Sequence, residues 1–224
     1  MERLALTDKW VRDLLLKSGA IKEMAMFLPD LFFIDGTEVT LGCGRSTHPR
    51  FSPDSKRLAL IYTSMSGRER LGLASDRVYV DGTLGKAYND VLRESLCFSP
   101  DSRRLAYGVR RGKKHLVVVD GLEGKPYAGN PSYFPYRAGQ ESQPTVFSPV
   151  FGPDSRHVAY IADRGTASTP DVVVVDGVEG TSGYEENYNS VGGVPLVFRD
   201  ARSFDFIAKR GDDLLRVEVE IAEE

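Results

Sequence analysis

Carboxylates and histidines are the side chains here whose numbers could support chemistry, so their spacing is weighed first. Asp54, Asp101 and Asp154 recur two residues after a serine or glycine that follows a phenylalanine, while Asp35, Asp81, Asp120 and Asp176 each precede a glycine. Seven repeated carboxylates could suggest calcium, yet each stands alone, without the D-x-D-x-D-G spacing that wraps a loop around the cation. Their tie to turn residues predicts hydrogen bonds to nearby backbone instead. His48, His115 and His157 lie far apart and form no H-x-x-x-H pattern, and Cys43 and Cys97 form no C-x-x-C. Nothing therefore has the spacing of a zinc site, and two cysteines do not make a disulfide framework. His157 stands where the matching segments carry Arg57 and Arg104, and reads as a solvated turn residue. A G-x-S-x-G nucleophile elbow, a Walker A loop and a dinucleotide fingerprint are all missing. On these residues the chain is read as non-catalytic, with no metal and no cofactor.

The elements that position these side chains are repeated. Phe51 opens "FSPDSKRLAL", Phe98 "FSPDSRRLAY", Phe151 "FGPDSRHVAY", and Phe198 a decayed "FRDARSFDFI". Between them fall "FFIDG", "VYVDG", "VVVDG" and "VVVVDG", ending at Asp35, Asp81, Asp120 and Asp176. The two landmarks alternate along the chain without exception. Each unit reads as a small antiparallel sheet. A strand ends at the phenylalanine, and Pro-Asp-Ser supplies a turn because proline presets φ and aspartate bonds its own backbone. A short apolar run follows, then a β-branched run closed by Asp-Gly, a strong hairpin signal. A fourth strand is expected around Gly85 to Val91 and Gly124 to Gly129. Units of about 40–50 residues with four strands have the size of a propeller blade.

"FSPDSKRLAL", "FSPDSRRLAY" and "FGPDSRHVAY" resemble the repeat of the WD40-like (TolB-type, PD40) β-propellers, over roughly Leu31 to Ile221. The resemblance implies an all-β propeller of about four four-stranded antiparallel blades, with the strand ending at each phenylalanine innermost, beside a central channel. Because the chain opens in mid-unit at "LFFIDG", an N-terminal strand is expected to complete the C-terminal blade, removing exposed sheet edges. An open half-ring pairing with a second copy is the competing arrangement.

Residues 1–28 fall outside the repeats and 29–224 form the propeller. Thr7 or Asp8 can cap a helix that Gly19 ends, with Trp10, Val11, Leu14 and Leu15 on one face, so a short N-terminal helix is predicted. Of the 224 residues, 41% are apolar and 27% charged, as in an ordinary globular protein, and the net charge is −3. The most basic stretch, "VRRGKK" from Val109 to Lys114, reads as a solvated turn, which argues against nucleic acid as a partner. No segment has the ~18 apolar residues of a membrane span, and the start lacks the apolar stretch of a signal peptide. The expected location is cytoplasmic, with no membrane partner.

A repeat scaffold places function on what interrupts the repeats. The longest connection from an Asp-Gly to the next phenylalanine is the third, Asp120 to Phe151. It contains Tyr127, Tyr133, Phe134, Tyr136 and Arg137, and tyrosine and arginine are favoured binding anchors. A second insertion, Ser64 to Asp76, is charged and reads as exposed. The sequence thus predicts a scaffold that binds a protein or peptide, as a monomer or homodimer, with Tyr133, Phe134, Tyr136 and Arg137 as partner-binding residues. His48, Arg50, Arg93, Glu94 and Gln143 are the candidates for the channel side. A small-ligand-binding or enzymatic propeller using the channel is the alternative from another class. A self-assembling half-propeller is the third.

Overall fold

The structure is a computed structural model that describes residues 24–27, 31–34, 37–40, 44–64, 75–128, 148–162, 164, 172–180, 186–187, 196–210 and 213–222. These residues form antiparallel sheets throughout, in two compact units, Met1–Ala87 and Tyr88–Glu224. Among them no helix is long and apolar enough to cross a membrane. The helix expected between Thr7 and Gly19 lies outside the described residues.

In the first unit, β1 (Met24–Phe27), β2 (Leu31–Ile34) and β3 (Thr37–Thr40) form a three-stranded meander, the first sheet. β1 thus falls inside the stretch 1–28 read as preceding the repeats. The second sheet orders β4 (Gly44–Phe51), β5 (Leu58–Ser64), β6 (Ser75–Val80) and β7 (Thr83–Leu84) in sequence. Ser64 pairs with Ser75 and Thr63 with Asp76, so the second insertion joins β5 to β6.

The second unit holds three sheets. The third contains β8 (Asp90–Val91), β9 (Cys97–Phe98), β10 (Leu105–Arg111), β11 (Lys114–Val119) and β12 (Leu122–Glu123). The fourth contains β13 (Val150–Phe151), β14 (Val158–Ala162), β15 (Val172–Val175) and β16 (Val178–Glu179). The fifth contains β17 (Glu186–Asn187), β18 (Val197–Phe198), β19 (Ser203–Arg210) and β20 (Asp213–Glu220). Four sheets hold at least four strands each, and the three-stranded first sheet is an addition to them. The fifth sheet is three strands wide, because β17 and β18 share one edge of β19 and β20 takes the other.

One detail of the blade differs from the sequence reading. The fourth strands of sheets two, three and four begin with the two residues directly after Asp81-Gly82, Asp120-Gly121 and Asp176-Gly177, ahead of "GKAYNDV" and "GKPYAG". Gly85 and Gly124 each donate an amide bond back to Val78 and Val117; Tyr127, within "GKPYAG", then exchanges both backbone bonds with His115 of β11, while Asp90–Val91 already pairs in the third sheet. Asp81-Gly82, Asp120-Gly121 and Asp176-Gly177 all have positive φ at both residues, the two-residue turn whose twist matches the strands it joins.

Sheets three, four and five stack through their side chains. Val117 and Leu92 pack against Tyr160, Val172 and Val174, and Ala159 packs with Phe204 and Phe206. A strand covered on both faces must be apolar at consecutive positions. Leu105–Val109 and Val158–Ala162 are accordingly buried without a break. In β19, burial alternates: Phe204, Phe206 and Ala208 are buried, while Asp205 and Ile207 are half-buried.

Candidate functional site between adjacent sheets

The repeated serines, aspartates and arginines build one hydrogen-bonded device in each turn. In the second sheet the Ser52 hydroxyl donates to Asp54 Oδ1 at 2.7 Å and accepts the Arg57 amide at 2.9 Å. Asp54 Oδ1 also accepts the Lys56 amide at 3.1 Å. Ser99, Asp101, Arg103 and Arg104 repeat this arrangement in the third sheet. Asp154 accepts the Arg156 amide at 3.0 Å in the fourth, and Asp200 accepts those of Arg202 and Ser203 in the fifth. Local backbone bonding is thus what these turn aspartates do. Ser55, Ser102 and Ser155 take φ of 59°, 68° and 63°, a left-handed conformation that tightens the turn.

The Asp-Gly aspartates act farther away than the sequence suggested. The carboxylates of Asp81, Asp120 and Asp176 reach back across their sheets, with Oδ1 accepting the first amide of the second strand. The distances are 2.9 Å from Asp81 to Leu58, 3.0 Å from Asp120 to Leu105 and 2.8 Å from Asp176 to Val158. Oδ2 pairs with the side chain just before that strand, at 2.7 Å to Arg57 and 2.8 Å to Arg104. His157 takes this place in the fourth sheet, its Nδ1 2.6 Å from Asp176 Oδ2. It is the counterpart of the arginines and not a freely solvated turn residue.

Arg104 also ties two sheets together. Its Nη1 donates to the Ser155 carbonyl at 3.3 Å and to that of Arg156, and its guanidinium lies 5.3 Å from the Phe151 ring centroid. The Asp101 amide donates to Ser155 Oγ at 2.9 Å, and the Cys97 thiol reaches the Pro149 carbonyl at 3.1 Å.

Beside this tie a cleft of about 240 Å³ opens between the third and fourth sheets. Val117, Val119 and Val158 give it apolar walls, and Arg104, Glu123, Tyr160 and Asp176 supply polar groups. At its rim Leu122 is 77% exposed, and the matching Val178 of the next sheet is 71% exposed. A second polar cluster spans the same two sheets. Lys125 Nζ lies 2.6 Å from Glu179 Oε1, and Arg164 Nη2 lies 2.9 Å from Oε2. Bonds from Lys125, the Tyr127 hydroxyl and Arg164 hold the Glu179 carboxyl down at about 2. Burial, followed by the nearby carboxylates, pushes Tyr107 and Tyr160 up to about 12 and raises Tyr127 further. These phenols stay protonated at neutral pH. In the third sheet Glu123 meets Arg111 and Tyr88 in the same geometry.

Among the described residues no group of three or more His, Cys, Asp or Glu side chains is placed to hold a metal ion. The cleft is smaller than the roughly 300–1,000 Å³ of ordinary small-molecule sites, and its charged groups are bonded into the framework.

Tyr133, Phe134, Tyr136, Arg137 and Gln143 lie outside the described residues. His48 and Arg50 sit on β4 at a break in register between Thr47 and Arg50, just ahead of Phe51. Arg93 and Glu94 stand in a 3-10 turn, Arg93–Ser95, that separates β8 from β9. Ser95 anchors this turn, its hydroxyl accepting the Gly108 amide at 2.8 Å. "VRRGKK" spans the β10–β11 hairpin with Gly112 at its tip; Arg111 to Lys114 are exposed, as expected of a solvated turn, while Val109 is buried. The Glu179–Lys125–Arg164 cluster and the Leu122/Val178 rim were missed. Glu123 and Glu179 both fall three residues after a hairpin aspartate, a spacing that could have revealed them.

No family model and no curated protein matches the chain. Similar solved structures include a putative TolB from Agrobacterium tumefaciens, 13% identical, with 86% of this chain and 70% of that one covered at a TM-score of 0.37. An oligogalacturonate lyase in complex with manganese is 11% identical, with 65% of this chain and 40% of that one covered at 0.35. The chain thus spans well under two thirds of the lyase's length. The propeller domain of the trilobed protease from Pyrococcus furiosus is 11% identical, with 87% and 76% covered at 0.29. TolB and a propeller domain are therefore among the structures this chain resembles, and the chain's own internal repeat remains the ground for its architecture.

Proposed function

We propose that this chain is a non-catalytic scaffold that binds a protein or peptide, and that the inserted stretch between Tyr127 and Val150 makes the contact. One observation carries the reading. In three successive turns the repeated polar side chains are bonded to backbone or to one another, so the repeated letters are occupied by the fold. Function then falls to the segments that interrupt the repeat, and the largest of these is rich in aromatic residues.

Peptides selected from a random display library against the 224-residue chain provide the ligand for a test by calorimetry. Buried aromatic anchors cost about 2 kcal/mol or more on truncation. The Tyr133→Ala/Phe134→Ala/Tyr136→Ala variant is therefore expected to lose binding by about a hundredfold or more at an unchanged melting temperature. Binding that survives the triple change removes the inserted stretch from the proposal.

A further inference from the structure

The outer edges of the sheets are not alike. In sheets two, three and four, the last strand is two residues long and follows a tight Asp-Gly turn, which keeps the edge short. The fifth sheet presents β20, eight residues long, which among the described residues pairs only with β19.

The backbone of β20 is poised to accept another strand. Ile221 donates its amide to the Arg202 carbonyl at 2.7 Å, and this fixes the phase of the antiparallel ladder. Such ladders alternate, so Asp213, Leu215, Val217 and Val219 direct their backbone groups at β19. Leu214, Arg216, Glu218 and Glu220 direct theirs at the open edge. Their side chains are also exposed, Leu214 by 60%. Val217, Val219 and Ile221 pack toward the core on the other face.

We propose that this edge is a homodimer seam, at which β20 of a second copy pairs antiparallel about Val217. The sequence of the strand selects that occupant and that register. Centred on Val217, the pairing sets Arg216 opposite Glu218 of the second copy, twice by symmetry, and Leu215 opposite Val219. Centred on Arg216 or Glu218, it sets like charges face to face, which is destabilising. Within one copy Arg216 bonds to Asp205 and Arg199 lies 3.6 Å from Glu218, so opposite charges already alternate across this face. The second copy continues that alternation. The inference rests on residues 213–221 and is independent of the inserted stretch.

The test is the mass of the 224-residue chain in solution, by light scattering across a wide concentration range. The expected result is a shift from one chain to two. Glu218→Pro removes an amide that faces the open edge and costs no bond to β19, so it should abolish the dimer with the far-ultraviolet spectrum retained. Glu218→Arg should weaken the dimer by about tenfold or more, and Arg216→Glu/Glu218→Arg should restore it. The charge pair gives the answer even if the proline variant fails to fold. A single-chain mass at every concentration overturns the proposal, as does a dimer indifferent to the charge changes.

Discussion

In the third sheet the turn runs Ser99-Pro100-Asp101-Ser102 and closes on Arg104. In the fourth it runs Gly152-Pro153-Asp154-Ser155 and closes on His157. Both turns keep the left-handed serine, the amide bond to the turn aspartate and the hairpin carboxylate bonded across the sheet. What differs is the group that the carboxylate holds. Arg104 has donors left over after Asp120 is paired, and it spends them on the carbonyls of the next turn. His157 bonds to Asp176 and lies 3.9 Å from Asp154, both in its own sheet. The comparison separates two jobs that the motif can perform. The aspartate closes a sheet, and in the third sheet Arg104 also fastens that sheet to its neighbour.

Removing each partner in turn tests this division most severely. Arg104→Ala is expected to cost about 2 kcal/mol. It loses a half-exposed ion pair, charge-assisted bonds to two carbonyls and a contact with the Phe151 ring. His157→Ala should cost about 0.5–1 kcal/mol, since one largely local pairing is lost. Urea unfolding of the two variants beside the parent measures the difference. Equal losses would show that the arginine's reach into the next turn contributes nothing.

The polar clusters farther out sharpen the same comparison through pH. Glu123 and Glu179 occupy matching places, and Glu179 is gripped by both Lys125 and Arg164. Its carboxyl is held at about 2, below an ordinary value of 4.5. A depressed carboxylate stabilises the fold at pH above its unfolded value, and that contribution fades as pH falls toward the folded one. Stability of the parent should therefore drop between pH 4.5 and 2 more steeply than that of Glu179→Gln, which should be the less stable of the two at neutral pH. Denaturant midpoints at three pH values decide it. Parallel curves would mean that the two cations stabilise the carboxylate no better than water does.

Much of this was legible in the residues, for identifiable reasons. Pro-Asp-Ser and Asp-Gly are local signals, set by φ preferences and short-range bonds, and they located the turns at Asp54, Asp101 and Asp154 and at Asp81, Asp120 and Asp176. Continuous apolar runs such as "RLAYGV" and "HVAYIA" gave the buried second strands. The start of the fourth strands was misplaced because "GKAYNDV" has strand-like residues, while the two residues after the Asp-Gly turn already pair back with the third strand. The role of His157 was misjudged for a similar reason. Its partner Asp176 is adjacent only across the sheet, and sequence position alone made it look like an isolated turn residue. Glu179 was passed over because its cations come from two different segments, Lys125 and Arg164.

The second difference between the turns, glycine in place of serine, has a packing cause that a single substitution can probe. A Cβ at Gly152 would stand 3.3 Å from Phe198 Cε1 and 3.0 Å from Asp154 Oδ1. Phe198 belongs to the fifth sheet, where its ring meets Phe204 at 5.2 Å. The missing side chain therefore makes room for a ring from the adjacent sheet. Gly152→Ser would restore the hydroxyl that Ser52 and Ser99 use to accept the amide five residues on. That bond is worth about 1 kcal/mol, and losing a flexible glycine from the unfolded chain adds up to about 1 kcal/mol more. Against these gains the Phe198 ring must retreat by a few tenths of an ångström in a packed layer, which costs about 1–3 kcal/mol. The net expectation is a loss of about 0.5 kcal/mol, the smallest of the three effects. The pair Gly152→Ser/Phe198→Leu should lose the clash and keep the bond, so it should lie above the sum of the two single changes. A strictly additive pair, measured by the same urea titrations, would mean that the ring does not explain the glycine.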